Sequence, residues 1–311
     1  MLQAAESLVP IILLVCLGAA LFMKGRFLNT EVRMGLDRFT YWVALPSLFI
    51  HNLSETDFRG LEAGNLVLAL MLSAVAISLL ATALSKLMKL PKEHSGVFIQ
   101  ASFRGNLAFV GLPLIIFALN GGNMSNQMVT EAVIGLAALI PLYNIISIYS
   151  LLSAKSKINT AIIIKILSQM VKNPLIISTV GGAFLGWMNW GLPVIVDRPF
   201  ELLGQTALAL ALVSLGGALV QLELRGNIRL ALITSSLKVA VVPLVTFGLC
   251  KALNLPNEQI FIAMIFAACP TAAASYILTT QLGGDQGLAA ASVITSTLFS
   301  LVALTIILMW F

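Results

Sequence analysis

The chain has 311 residues, 59% hydrophobic and 10% charged, with a mean hydropathy of +0.99 and a formal net charge of +5. That composition excludes an ordinary soluble domain, which must clothe its core in charge. The positive balance is no nucleic-acid footprint, because no basic run or aromatic-interleaved patch carries it, and Cys16, Cys250 and Cys269 lie singly in apolar stretches without metal or CxxC spacing.

Mostly apolar stretches of about 18 to 25 residues recur along the chain, each long enough to cross roughly 30 Å of hydrocarbon as a helix. The short alternating segments of a membrane barrel are not seen. The first stretch follows Glu6 without a basic flank before it, so it is expected to stay as helix one rather than be cleaved as a signal peptide. Five helices are predicted at Ser7 to Met23, Leu36 to Leu53, Leu61 to Leu87, His94 to Leu119 and Gln127 to Leu152. Five more follow at Pro174 to Trp190, Pro199 to Val220, Asn227 to Cys250, Asn257 to Leu282 and Gln286 to Trp310. The fold class expected is therefore an all-α membrane protein of ten transmembrane helices.

Loop charge sets the orientation, because short loops rich in Lys and Arg stay cytoplasmic. Loop one carries Lys24, Arg26, Arg33 and Arg38; loop three Lys86, Lys89 and Lys92; loop five Lys155, Lys157, Lys165 and Lys172; loop seven Arg225 and Arg229. The opposite loops hold Arg59, Arg198 and Lys251. Both termini are thus expected outside an inner or plasma membrane. Between Ile158 and Val171 isoleucines mix with Lys165, Ser168 and Gln169, the pattern of a helix lying in the interface.

The chain also repeats itself. VPIILLVCLGAALF from Val9 resembles NPLIISTVGGAFLG from Asn173, DFRG at Asp57 matches ELRG at Glu223, and LPKEH at Leu90 matches LPNEQ at Leu255, at offsets of 164, 166 and 165 residues. Five helices per half is an odd number, so the second half enters the membrane inverted. The expected organisation is a first repeat over 1–152, a cytoplasmic linker over 153–173 and a second repeat over 174–311.

The same offset sets Gly105 against Pro270 and Asn106 against Thr271, inside helices four and nine. Gly105 lies about 11 residues, roughly 16 Å, from one helix end and Pro270 about 13 residues, roughly 20 Å, from the opposite one. Each breaker alone reads as a harmless kink. Together, flanked by Ser102, Arg104, Asn106, Thr271 and Ser275, they predict two helices broken near the midplane, where non-helical backbone survives only inside protein or beside water. Half-helix N-termini there offer N–H groups and positive dipole ends to an anion. Arg104 and Lys238 fall deep in the hydrocarbon by this count, whereas Glu131 and Asp285 lie near helix ends. The plain reading has Arg104 neutralising half-helix carbonyls and Lys238 snorkelling; a negatively charged substrate explains both cations together.

The segment GNLAFVGLPL from Gly105 to Leu114 resembles the fourth-helix signature of the auxin efflux carrier family, whose plant members have a Pro-Asn pair at the crossover and a second proline seven residues after the Asn. Asn106 and Pro113 match that pattern, with Gly111 between them, and LKVAVVPL at Leu237 and CPT at Cys269 resemble family segments in helices eight and nine. Gly105 stands where the plant proteins have proline, and their long cytoplasmic loop is missing, which makes the chain similar to bacterial members. The resemblance implies ten helices in two inverted five-helix repeats, a scaffold of helices one, two, six and seven, and a transport domain of helices three to five and eight to ten. It further implies elevator-type alternating access, a homodimer, and small carboxylates such as malonate, malate or lactate as substrates, with auxin-like acids less suited. On that reading Asn106, Thr271, Arg104, Lys238 and Ser275 bind the anion, and Gly105, Gly111, Pro113 and Pro270 shape the crossover.

No cofactor or metal site is expected. His51 and His94 fall in no HExxH and no GxSxG occurs, which argues against a membrane-embedded enzyme. A channel would need a continuous pore lined by charge or carbonyls. His51 is expected as an interfacial residue at the outer end of helix two, with proton binding as its alternative role. Small carboxylates and membrane lipids are the partners expected, and nucleic acid is not.

Overall fold

A computed structural model describes residues 2–25, 27–56, 63–120, 126–153, 171–222 and 226–311. The helices are α1 (Leu2–Met23), α2 (Thr30–Phe39), α3 (Leu45–Ser54), α4 (Gly64–Leu87), α5 (Lys92–Phe103), α6 (Leu112–Asn120) and α7 (Asn126–Ser153). They continue as α8 (Pro174–Trp187), α9 (Val194–Gln221), α10 (Ile228–Ser236), α11 (Val242–Ala252), α12 (Asn257–Ala268), α13 (Ala273–Leu282) and α14 (Gln286–Trp310). Among the described residues there is no β-strand. The expected interfacial helix of loop five lies almost wholly outside them, as does most of the DFRG and ELRG pair.

Three widened π turns, Thr40–Ala44, Leu107–Gly111 and Leu237–Val241, join α2 to α3, lead into α6, and join α10 to α11. Each ends two residues before a proline, Pro46, Pro113 or Pro243. A proline inside a helix has no N–H to donate and its ring crowds the carbonyl four residues back. The chain answers by widening: the amide of Leu45 reaches back five residues to Thr40 O, and that of Val242 to Leu237 O.

Five helices among the described residues are long and apolar enough to cross a membrane: Gly64–Leu87, Gln127–Ser153, Val194–Gln221, Ile228–Ala252 and Gln286–Trp310. Shorter apolar helices include Pro174–Trp187, whose two faces show the solvent for which it is built. Ile177, Val180, Phe184 and Trp187 form an exposed apolar stripe at spacings of three and four, whereas Ser178, Gly182 and Gly186 face inward. Large apolar side chains outside and small residues inside suit lipid, not water.

The chain packs as two units. Unit 1 comprises 1–63, 108–137 and 168–221; unit 2 comprises 64–107, 138–167 and 222–311. Unit 1 holds helices one, two, six and seven of the sequence reading. It also takes residues 108–137, the second part of helix four and the first part of helix five, which that reading groups with the others.

Within unit 1, α1 and α9 approach backbone to backbone. A Cβ on Gly18 would overlap the carbonyl oxygen of Val213, and one on Gly216 would overlap that of Val15. The helix containing Arg33 and Arg38 starts earlier than hydropathy suggests, at Thr30, because Asn29 caps it by accepting from Val32 N at 2.9 Å. Arg33, expected in a loop, is therefore helical: it pairs with Asp37 one turn on at 2.6 Å and donates to Gln221 at 3.0 Å, while Ser214 of α9 donates to Asp37. Likewise α9 begins at Val194, so Pro199 lies inside the helix rather than at its start. In unit 2 hydroxyl pairs tie helices together, with Ser73 and Thr246 at 2.7 Å, Ser235 and Thr295 at 2.6 Å, and Thr234 and Ser292 at 3.0 Å.

Candidate functional site: crossed helix breaks in unit 2

Both expected breaks are present. Helix α5 stops at Phe103, where Arg104 turns extended (ψ 98°), and α12 stops at Ala268, where Cys269 does the same (ψ 143°). The two extended pieces lie antiparallel with Gly105 opposite Thr271. Asn106 N donates to Pro270 O at 2.8 Å, and Ala272 N donates to Arg104 O at 2.9 Å. Each break thus supplies partners for backbone groups that the other leaves without a helical one, the condition for non-helical backbone away from water.

Side chains complete the crossing. Ser296 on α14 accepts from Thr271 N at 2.9 Å, and the Thr271 hydroxyl donates to Ala101 O at 2.8 Å from a residue 1% exposed. With its proton so used, that hydroxyl has lone pairs left but no donor for a carboxylate. Lys238, in the π turn between α10 and α11, is fully buried and donates its ammonium to Ala267 O in the last turn of α12. A cation belongs at such an end, where carbonyls lack partners and the dipole is negative. Gly105 leaves room for it: a Cβ there would sit 3.3 Å from Lys238 Cε and 3.0 Å from a Leu107 methyl.

Arg104 is held differently. Its Nη2 donates to Asn144 Oδ1 of α7 at 2.9 Å, and the residue is partly accessible. One turn before it, Gln100 donates through Nε2 to Ser275 O at 3.1 Å and to Thr279 Oγ1 at 2.6 Å, binding α5 to α13. Ser275 itself is 1% exposed and its hydroxyl finds no partner among the described residues. The side-chain amide of Asn106, 7% exposed, makes no hydrogen bond among the described residues. Ala272, at the N-cap of α13, adds no side-chain cap, so first-turn N–H groups of that helix are left to other partners.

The structure therefore brings Arg104, Gly105, Asn106, Pro270, Thr271, Ser275 and Lys238 into one neighbourhood of unit 2. Pro113 and Gly111 stand apart in role, at the π turn that opens the second half of the broken helix. Sequence reasoning missed Gln100, Asn144, Thr279 and Ser296. Their only signal is a polar side chain inside an apolar stretch.

Helices of membrane length, apolar side chains turned outward and two broken helices crossing in one packing unit define a multi-pass membrane protein. Residues 3–308 match the family described as membrane transport protein, and the chain belongs to that family, the auxin efflux carrier family of membrane transporters. It is similar to an uncharacterized transporter of Methanocaldococcus jannaschii, 24% identical over 277 residues, which cover 87% of each chain. It is likewise similar to an uncharacterized transporter of Methanothermobacter thermautotrophicus, 24% identical over 305 residues, 97% of this chain and 96% of that one.

Proposed function

We propose that this transporter carries small organic anions, mono- or dicarboxylates such as malonate, malate or lactate, through alternating access of the elevator type. The observation that carries the reading is the crossing in unit 2, where Asn106 presents a side-chain amide that makes no hydrogen bond among the described residues, beside a partly accessible Arg104. An amide offers two donors, which suit a carboxylate, and the start of α13 adds positive dipole character. Of the two cations Arg104 is the better counter-charge, because it is partly accessible whereas Lys238 is fully buried against Ala267 O. Ser275 has an unspent hydroxyl for the same anion, and Thr271 acts by positioning the crossing.

In this reading the ten helices form two inverted five-helix repeats, and helices three to five and eight to ten move as a body against a scaffold of helices one, two, six and seven within a homodimer. Both termini lie outside the inner or plasma membrane. Purified protein in liposomes should take up radiolabelled malonate or malate with saturation and counterflow; flux linear in concentration without counterflow would favour an anion channel instead. An engineered Lys157→Cys should resist labelling from outside intact cells, and ready labelling would reverse the orientation.

A further inference from the structure

We propose that His51, Glu55 and Asp197 form a binding site for a borderline divalent transition ion, Zn²⁺ above all, within unit 1. His51 and Glu55 stand one turn apart at the end of α3, on one helix face. Asp197 comes from the first turn of α9. One imidazole nitrogen and one oxygen from each carboxylate lie within 4.8 Å of one another, with His51 Nδ1 and Asp197 Oδ1 only 2.8 Å apart. Ligands of a tetrahedral zinc at about 2.1 Å are roughly 3.4 Å from each other, so small side-chain rotations close the set.

Two further observations point to a cation. Neither carboxylate pairs with a lysine or arginine among the described residues, although Arg198 follows Asp197 directly. Glu55 is also the C-cap of α3, so His51 and Glu55 sit at the negative end of that helix dipole, while Asp197 lies in the first turn of α9. The donor set chooses the metal. A nitrogen with two carboxylates suits Zn²⁺, whereas Mg²⁺ and Ca²⁺ take all-oxygen sites. Three protein ligands leave a fourth position to water, and exposed Glu55 gives the ion its way in. Bound there, the ion fastens the end of α3 to the start of α9. The proposal stands independently of what the protein transports.

The test uses the full chain in detergent, with Cys16→Ser to remove an exposed thiol that could bind zinc adventitiously. Calorimetric titration with ZnCl₂ should give one site per chain and a raised unfolding temperature, and MgCl₂ should do neither. His51→Ala, Glu55→Gln and Asp197→Asn should each weaken zinc binding by roughly tenfold or more. Should His51→Ala not fold, Co²⁺ added to the Cys16→Ser protein keeps the question open to decision: visible d–d bands that vanish in Asp197→Asn support the site. Absence of zinc binding, or binding equally tight in all three variants, overturns the proposal. So does loss in His51→Ala alone, which would reduce the cluster to a lone histidine.

Discussion

Lys238 donates its ammonium to the carbonyl oxygen of Ala267, and no part of the lysine reaches the surface. A buried ion is tolerated only where its surroundings compensate it, and here the compensation is the carbonyl end of α12 at the point where that helix breaks. Removing the cation should therefore damage the crossing itself. Lys238→Met should cost about 1.5–3 kcal/mol, the usual worth of a hydrogen bond to a charged group, seen as a clear fall in unfolding temperature in detergent. Lys251→Met is the control, since Lys251 is exposed and merely lies over the Phe247 ring, 5.4 Å from its centroid. A Lys238→Met protein of wild-type stability that no longer transports would make the lysine a substrate ligand rather than a helix cap.

The α1–α9 contact in unit 1 should be equally intolerant. A methyl group at Gly18 or Gly216 would meet backbone carbonyls, which cannot rotate aside as a side chain can. Gly18→Ala and Gly216→Ala should each lose about 1–3 kcal/mol through forced separation of the helices. At Gly181 a Cβ meets nothing within 4 Å, so Gly181→Ala should be neutral or slightly stabilising. Equal unfolding temperatures across the three variants would mean that the two helices do not approach so closely in the folded protein.

Asp285 carries two duties that substitution can separate. Its Oδ1 caps α14 by accepting from Leu288 N at 2.9 Å, and its Oδ2 lies 2.7 Å from His94 Nδ1. Asp285→Asn keeps a capping oxygen and loses the charge, so it should cost little; Asp285→Ala loses the cap as well and should cost about 1 kcal/mol more. Unfolding curves of the two variants measured together decide whether capping or pairing dominates.

The sequence made the helix breaks legible because Gly105 and Pro270 fall at matching places in the two halves and are flanked by polar residues, whereas a lone proline such as Pro199 sits within an unbroken helix. It also singled out Asn106, since a short amide beside a breaker is unusual in an apolar stretch. The role of Thr271 was hidden: whether its hydroxyl is free depends on Ala101, 170 residues away. The same holds for Lys238, where charge and depth were readable but the carbonyl it serves was not. Hydropathy placed the start of helix two too late because its first turns are polar and become helical through the Asn29 cap and the Arg33–Asp37 pair. The His51 cluster was invisible for a similar reason, as Asp197 joins it only across 146 residues.

The most decisive experiment concerns Asn106, whose backbone and side chain do separate things. The backbone amide holds the crossing through Pro270 O at 2.8 Å, and any residue other than proline supplies that N–H. The side-chain amide makes no hydrogen bond among the described residues, so Asn106→Ala should leave unfolding temperature and expression unchanged. If the amide meets the carboxylate of the substrate, its loss removes a hydrogen bond to a charged group, about 1.5–3 kcal/mol, and affinity should fall roughly tenfold to a hundredfold. Arg104→Gln should reduce transport further, because the buried anion then lacks its counter-charge. Binding of malonate or malate by thermal shift, with uptake in liposomes beside it, separates the outcomes. Wild-type affinity and rate in both variants would move the anion site away from the crossing. Loss in Arg104→Gln with Asn106→Ala intact would keep the anion at the crossing and leave Asn106 with the backbone duty alone.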